Sequence, residues 1–203
     1  MSTTERVPGT GRGRAAALPP EERRAAIVAA TVPLVLQHGR EVTTRQIAEA
    51  AGVAEGTIFR VFADKDALLE AVVQSALDPT ATEWALRRID PDLPLDARLV
   101  AAVDILRRRV ADVFQVMSAV GMVTPRTAPP SSDDPPRRMP DLEALVSVFA
   151  PDRDQLRRTP EQAAHLLRGL TLVGSHPALR PDEPLDDDEI VSLLLDGVRA
   201  RPA

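Results

Sequence analysis

Apolar side chains recur every third or fourth residue along most of the chain, a spacing that places them on one face of an α-helix. The clearest case runs from Leu99 to Met117, where the spacings of apolar residues alternate between four and three positions. This pattern predicts one amphipathic helix of about 26 residues. No segment shows the apolar–polar alternation of a half-buried strand, so we expect an all-α fold.

Helix-start and helix-stop signals divide the remaining chain. Pro20, followed by two glutamates, predicts a helix over about residues 21–38, and Gly39 ends it. Thr159 and Gln162 form a capping box around a proline at the first helical position. The helices predicted after residue 120 cover about residues 141–149, 159–175 and 187–200.

Between residues 42 and 69 the pattern predicts three short helices joined by tight connections. Thr43 and Gln46 form a capping box for the first helix, and Gly52 can adopt the positive φ that the following turn needs. A second helix is predicted over about residues 55–61, and Asp64 caps the third. Helix, glycine turn and short helix together form a helix-turn-helix, which lays its second helix in the major groove of DNA.

The same segment carries a dense, ordered set of small, apolar and basic positions. They are Thr43, Ile47-Ala48, Ala51-Gly52-Val53, Gly56-Thr57-Ile58-Phe59, Phe62, Lys65 and Leu68-Leu69. This pattern resembles the tetracycline-repressor (TetR) family of bacterial transcription regulators. The resemblance implies a homodimer that binds a palindromic operator on double-stranded DNA and releases it when a small-molecule effector enters the C-terminal domain. It also implies that the last two helices form the dimer interface.

Residue chemistry indicates which side chains of this segment contact DNA. Thr44 and Arg45 lie at a helix N-terminus, whose free N–H groups and positive dipole end favour a phosphate. Gly56 permits close backbone approach, while Thr57 and Arg60 can reach a phosphate or a base edge. With Lys65, whose phosphate contact is implied by the resemblance, the predicted DNA-binding set is Thr44, Arg45, Glu55, Gly56, Thr57, Phe59, Arg60 and Lys65.

The segment also departs from what the resemblance implies. Ala54 stands where the family often has Ser, and Glu55 where it often has Lys or Arg. Phe59 and Val61 stand where Tyr or His is common, so hydroxyl or imidazole contacts to phosphate are lost. Glu55 repels phosphate, yet its carboxylate can accept a hydrogen bond from cytosine N4. These departures keep open an alternative, a helical ligand-binding or adaptor protein whose DNA binding is weakened or lost.

An effector site and a dimer face are expected in the C-terminal part. A small-molecule site is usually an apolar cavity with a few polar groups. Aromatic residues make up only 2% of the chain, which favours an aliphatic or acyl effector over a flat aromatic one. The expected pocket lining is Trp84, Phe114, Met117, Met122 and Phe149. The expected dimer face is Leu166, Leu170, Val173, Ile190, Leu194 and Val198.

Charge and composition narrow the alternatives. Residues 1–65 carry nine basic and seven acidic side chains, whereas the rest carries 16 and 23, so only the N-terminal part suits DNA. Arg12 and Arg14 are further candidates, for minor-groove contacts. The lack of cysteine fits a cytoplasmic protein, and no apolar run is long enough for a membrane span. No metal-ligand cluster, phosphate loop or catalytic constellation is visible, so we expect no metal, no cofactor and no enzymatic activity.

Three parts of the chain follow from these patterns. Residues 1–19 are predicted to be a disordered arm, because they mix Gly, Pro, Thr and Arg. Residues 20–76 are predicted to form the helix-turn-helix domain. Residues 77–203 are predicted to form a larger helical domain for ligand binding and dimerisation.

Overall fold

The computed structural model describes residues 19–122, 140–176, 179 and 184–198. Over these ranges the regular secondary structure is helical, as the apolar periodicity predicted, and no helix there is both long and apolar enough to cross a membrane. Short 3-10 turns follow α1 and α7, at Gly39–Glu41 and Ala150–Gln155. The helices are α1 (Pro20–His38), α2 (Thr44–Ala51), α3 (Glu55–Val61), α4 (Lys65–Leu77), α5 (Thr80–Arg87), α6 (Leu95–Ala119), α7 (Pro140–Phe149), α8 (Pro160–Ser175) and α9 (Asp187–Val198).

Helices α1 to α4 form an N-terminal unit, which we call the head. Glu21 and Glu22 occupy the first turn of α1, where carboxylates compensate the positive end of the helix dipole. Each helix contributes fully buried apolar side chains to one core. The buried side chains from these helices are Ile27, Val28, Val35, Ile47, Ala48, Ile58, Leu68, Leu69, Val72 and Val73.

Helices α5 to α9 form a second unit, which we call the body, around its own apolar core. Arg98 of α6 is buried beside this core, and each of its donor groups has a partner. Its guanidinium donates to the carbonyls of Pro91 and Leu93 at 2.9 and 2.8 Å and to that of Val148 at 3.2 Å, and it pairs with Asp152. These bonds offset the cost of burying the charge and tie the segment before α6 to the end of α7.

Helix α6 belongs to both cores. Its first half packs in the body through Leu99, Ala102, Val103 and Leu106. Its last turns instead pack in the head: Val116, Met117 and Val120 are buried among the side chains of α1 and α4. The head core therefore draws on residues far beyond the predicted domain boundary at residue 76.

The end of α6 also meets the head through the backbone at Gly39. This glycine has φ +57°, and a Cβ placed on it would lie 2.9 Å from the carbonyl oxygen of Ala119. Arg40, the next residue, donates from Nη1 to the carbonyl of Val120 at 3.4 Å. The turn after α1 is thus seated directly on the C-terminal end of α6.

Replacing Gly39 by Ala tests this contact between the turn after α1 and the end of α6. The new Cβ would meet backbone rather than a movable side chain, and the positive φ would strain it further. We expect the free energy of unfolding to fall by about 2–4 kcal/mol, measured by urea denaturation.

The matched control is Gly52→Ala. Gly52 also has a positive φ, of +64°, but a Cβ there would meet nothing within 4 Å. In Gly52→Ala the free energy of unfolding should fall by about 1 kcal/mol, because only the backbone conformation is strained. Equal losses at the two glycines would contradict a close contact between Gly39 and α6.

Candidate functional site

The first helix of the predicted helix-turn-helix starts at a capping box. The Gln46 N–H donates to Thr43 Oγ1 at 3.2 Å, and the Thr43 N–H donates to Gln46 Oε1 at 2.8 Å. This confirms the predicted N-cap and fixes where α2 begins. Arg45, in the first turn, is exposed, and Thr44 is half-buried.

The turn between α2 and α3 depends on Gly52, whose φ of 64° and ψ of 31° place it in the left-handed region, as predicted. The Val53 N–H donates to the carbonyl of Ala48 at 3.0 Å and closes the turn. Ile58 is buried and anchors α3 in the head core, so the opposite side of this helix faces outward.

The outward side of α3 presents Gly56, Phe59 and Arg60, all exposed. The Phe59 side chain is 53% exposed, so it is accessible to a partner outside the chain. A Cβ at Gly56 would meet no atom of the chain within 4 Å, so the backbone there is open to a close approach from outside. Thr57 is half-buried beside them.

Glu55 and Thr44, both predicted to contact DNA, contact each other. The Thr44 hydroxyl donates to Glu55 Oε1, so the start of α2 is joined to the start of α3. The exposed Glu55 carboxylate therefore remains at the surface that the two helices share, where it repels phosphate.

A groove between the start of α1 and α3 brings three arginines together. Arg23, Arg24 and Arg60 line it, and Glu21 lies at the same groove. The Arg24 guanidinium is 4.3 Å from the centre of the Phe62 ring, and its Nη1 donates to the carbonyl of Val61 at 3.4 Å.

Sequence reasoning missed Arg23 and Arg24. The signal available was two adjacent arginines in the first turns of α1, but only the tertiary packing of α1 on α3 brings them beside Arg60.

Lys65, the last member of the predicted set, is half-buried and held by the head itself. Its Nζ donates to the carbonyl of Arg40 at 2.5 Å, and the Arg40 guanidinium pairs with Asp66 at 2.5 Å. This network joins the turn after α1 to the start of α4. Arg12 and Arg14 lie outside the described residues.

The head is not basic overall. Residues 20–76 include six basic and eight acidic side chains, so the positive charge predicted for the N-terminal part comes from residues before 20. The phosphate contacts predicted for the head would therefore depend on local charge, and the groove beside α3 is where described basic residues converge.

The predicted pocket lining does not come together in one cavity. Trp84 is 67% exposed, Phe149 is in the body core, and Met117 and Met122 pack with the head. The Phe114 ring lies edge-on to His176 with 5.0 Å between ring centroids. Periodicity places these residues on apolar helix faces, but it does not indicate which of the two cores each residue joins.

The predicted dimer face is wrong for α9. Ile190, Leu194 and Val198 are buried in the core of their own body, so a partner cannot reach them, and Leu170 is partly buried against the same core. The exposed apolar side chains of these two helices are Leu166, Leu172, Val173 and Leu193.

Close packing of α8 on α9 explains this orientation. A Cβ at Gly174 would lie 3.3 Å from Cδ1 of Ile190, so the glycine allows the two helices to approach. Gly169, by contrast, is exposed on the outer side, with nothing within 4 Å of a Cβ.

A capped helix, a left-handed glycine turn and an outward-facing short helix form a helix-turn-helix, which is carried on a larger helical body. A sequence model of the family described as bacterial regulatory proteins, tetR family, matches residues 27–72. This match lies in the head, and over that segment it confirms the predicted resemblance to the tetR family.

Solved structures share the whole architecture at low sequence identity. A TetR-family transcriptional regulator from Mesorhizobium loti MAFF303099 aligns with a TM-score of 0.59 and 16% identity, over 91% of this chain and all of that one. A TetR-family protein from Vibrio parahaemolyticus gives 0.54 and 19%, over 88% of this chain and all of that one. A tetR-family regulator from Streptomyces coelicolor gives 0.55 and 20%, over 87% of this chain and 78% of that one. These likenesses establish the fold of head and body together.

Replacing Glu55 by Gln should strengthen DNA binding. The substitution removes a negative charge beside α3 and keeps an amide oxygen that can accept from Thr44. We expect the affinity for a labelled duplex from upstream of the gene to rise about threefold or more at low salt, measured by fluorescence anisotropy.

Glu70→Gln is the control, because Glu70 is exposed on α4 and lies on neither helix of the motif. It should leave the affinity unchanged. A weaker complex with Glu55→Gln would contradict a repulsive role and would instead indicate that the carboxylate accepts from a base.

Proposed function

We propose that the chain is a ligand-responsive transcriptional repressor that binds a palindromic operator as a homodimer and is released by a small-molecule effector. It would act in the cytoplasm, where its DNA target lies. The observation that carries this proposal is the outward-facing α3, with Phe59 and Arg60 exposed next to a groove lined by Arg23 and Arg24.

The contacts proposed for each half-site follow from side-chain chemistry. Arg60 and Thr57 reach a phosphate or base edge, and Phe59 offers an apolar surface for a thymine methyl group. Arg45 and Thr44 approach phosphate from the start of α2, and Arg23 and Arg24 do so from the groove between α1 and α3. Lys65 contacts phosphate with the N–H groups that its bond to Arg40 leaves over.

The dimer is proposed to form through the outer side of α8 and α9. Leu166 and Val173 are 47% and 50% exposed, and Gly169 lies between them on the same helix. Leu172 and Leu193 are also exposed, so α8 and α9 present four large apolar side chains that a partner chain could cover. The small Gly169 allows a partner helix to approach closely.

Regulation is proposed to pass through α6. An effector that changes the body moves this helix, and its last turns are part of the head core. The two reading helices of a dimer must match half-sites about 34–36 Å apart. A shift of the heads relative to one another would therefore lower operator affinity.

An adaptor or ligand-binding protein without DNA binding is the second candidate, favoured by the acidic balance of residues 20–76. The salt dependence of affinity separates the two. A DNA reader loses affinity steeply as salt rises, because phosphate contacts release counterions.

Removing Arg60 tests DNA reading directly. In gel shifts with the DNA upstream of the gene, Arg60→Ala should weaken the complex about tenfold or more and, where the contact is to phosphate, lower the salt slope by about one. Arg88→Ala, at the exposed end of α5, should behave like the parent. No retardation at low salt, or equal binding by both variants, would refute the proposal.

The dimer face is tested by placing a charge on it. Leu166→Glu should convert a dimer to a monomer in light scattering, because a carboxylate would be buried without a partner. Operator affinity should fall with it, since one reading head then binds alone. Leu93→Glu, an exposed leucine before α6, is the control and should remain dimeric. A dimer that persists in Leu166→Glu would exclude this face.

A further inference from the structure

An open crevice of about 590 Å³ lies where the head meets the body. The crevice is lined by Val32 and Leu36 of α1, by Ser75 and Ala76 at the end of α4, and by Ala81 at the start of α5. Residues of α6 complete the lining. Its volume falls within the range of about 300–1,000 Å³ that small-molecule sites occupy. Leu36 is 47% exposed here, so apolar surface remains for an occupant to cover.

The polar side of the crevice is built around Arg109 of α6. Its Nη1 donates to the carbonyl of Ala76 in the last turn of α4. Partial burial lowers the pKa of the Arg109 guanidinium, and the carboxylates of Asp141, Asp78 and Asp112 act in the opposite direction. The guanidinium nevertheless stays charged at neutral pH, because arginine does not lose its proton in proteins.

Negative charge exceeds positive charge at this site. Asp78 and Asp112 line the crevice beside the single arginine, and Asp141 faces the same guanidinium. Arg168, which also acts on Arg109, pairs with Asp141 at 3.9 Å. An anion entering the crevice would meet carboxylates, whereas a cation would add the charge that the site lacks.

Individual acceptors for such a cation can be identified. Asp78 is already engaged, because its Oδ1 accepts from the N–H and hydroxyl of Thr80 at 2.9 and 2.6 Å. Asp112 and Gln115 are exposed on the α6 side of the crevice and can both accept from an ammonium, which has three donors. The apolar wall of Val32, Leu36 and Ala81 suits a hydrocarbon body.

We infer that this crevice binds a small amphipathic cation, an ammonium group carried on an apolar body. The regulatory consequence rests on the proposed function. The occupant lies between the end of α4 and α6, the two helices that Arg109 joins, so its entry separates them and shifts the head on the body.

Isothermal titration of the full chain with octylamine and with octanoate tests the inference. The two probes share an apolar length and carry opposite charges at pH 7. Octylamine should bind saturably, one per chain, and octanoate at least tenfold more weakly. Trp84, the only tryptophan, lies one turn after Ala81 on α5 and should report octylamine binding through its fluorescence.

Two variants locate the site. Asp112→Asn should weaken octylamine at least fivefold, and Ala81→Leu, which fills the crevice from an exposed position, at least tenfold. Asp104→Asn, which disturbs only the exposed pair with Arg108 on α6, should bind octylamine like the parent.

Equal affinity for the two probes, or unchanged octylamine binding in Asp112→Asn or Ala81→Leu, would overturn the inference. The titration contains no DNA. A chain that binds octylamine in this way but no operator would therefore leave the site standing and remove only the proposed function.

Discussion

The packing of the last turns of α6 into the head core is the interaction on which the rest of the structure depends. Val116, Met117 and Val120 are buried there with α1 and α4, and the carbonyl of Ala119 seats the turn at Gly39. Burying one side chain of this size contributes about 1.5–3 kcal/mol to the free energy of unfolding. The contact between α6 and the head is therefore a large part of the stability expected for a small helical unit. The orientation of α2 and α3 is consequently set in part by a helix of the body. A change in the body can therefore be transmitted directly to α3, the helix that we propose reads DNA.

Features with local causes could be predicted from the sequence. The capping boxes at Thr43 and Thr159, the left-handed turn at Gly52 and the long α6 all follow from residues within a few positions of one another. The side of α9 that faces inward could not, because Leu193 and Leu194 are adjacent apolar residues and only packing against α8 decides between them. The sharing of α6 between two cores has the same origin. Periodicity identifies an apolar stripe but not the neighbour that covers each part of it.

The exposed surface around α3, which we propose contacts DNA, could be predicted in part for a similar reason. Arg60 and Phe59 follow from the register of α3, which Ile58 anchors. The bond between Thr44 and Glu55, and the gathering of Arg23 and Arg24 beside Arg60, join residues from different helices. Together they change the electrostatic account of the proposed DNA contact. In an acidic head, attraction for phosphate would come from a local arginine groove, and Glu55 would oppose it at the start of α3. Such a balance favours a reader that depends on shape and on a few contacts more than on net charge.

Hydrogen exchange in Met117→Ala is the most direct test of the coupling through α6. Met117 lies on α6, far along the chain from α2 and α3, yet it is buried in the head core. Truncating it should destabilise that core by about 2–5 kcal/mol. Amides of α2 and α3 should then exchange faster, although no residue between 44 and 61 has changed. Faster exchange confined to α6, with α2 and α3 protected as in the parent, would contradict a head core that α6 completes.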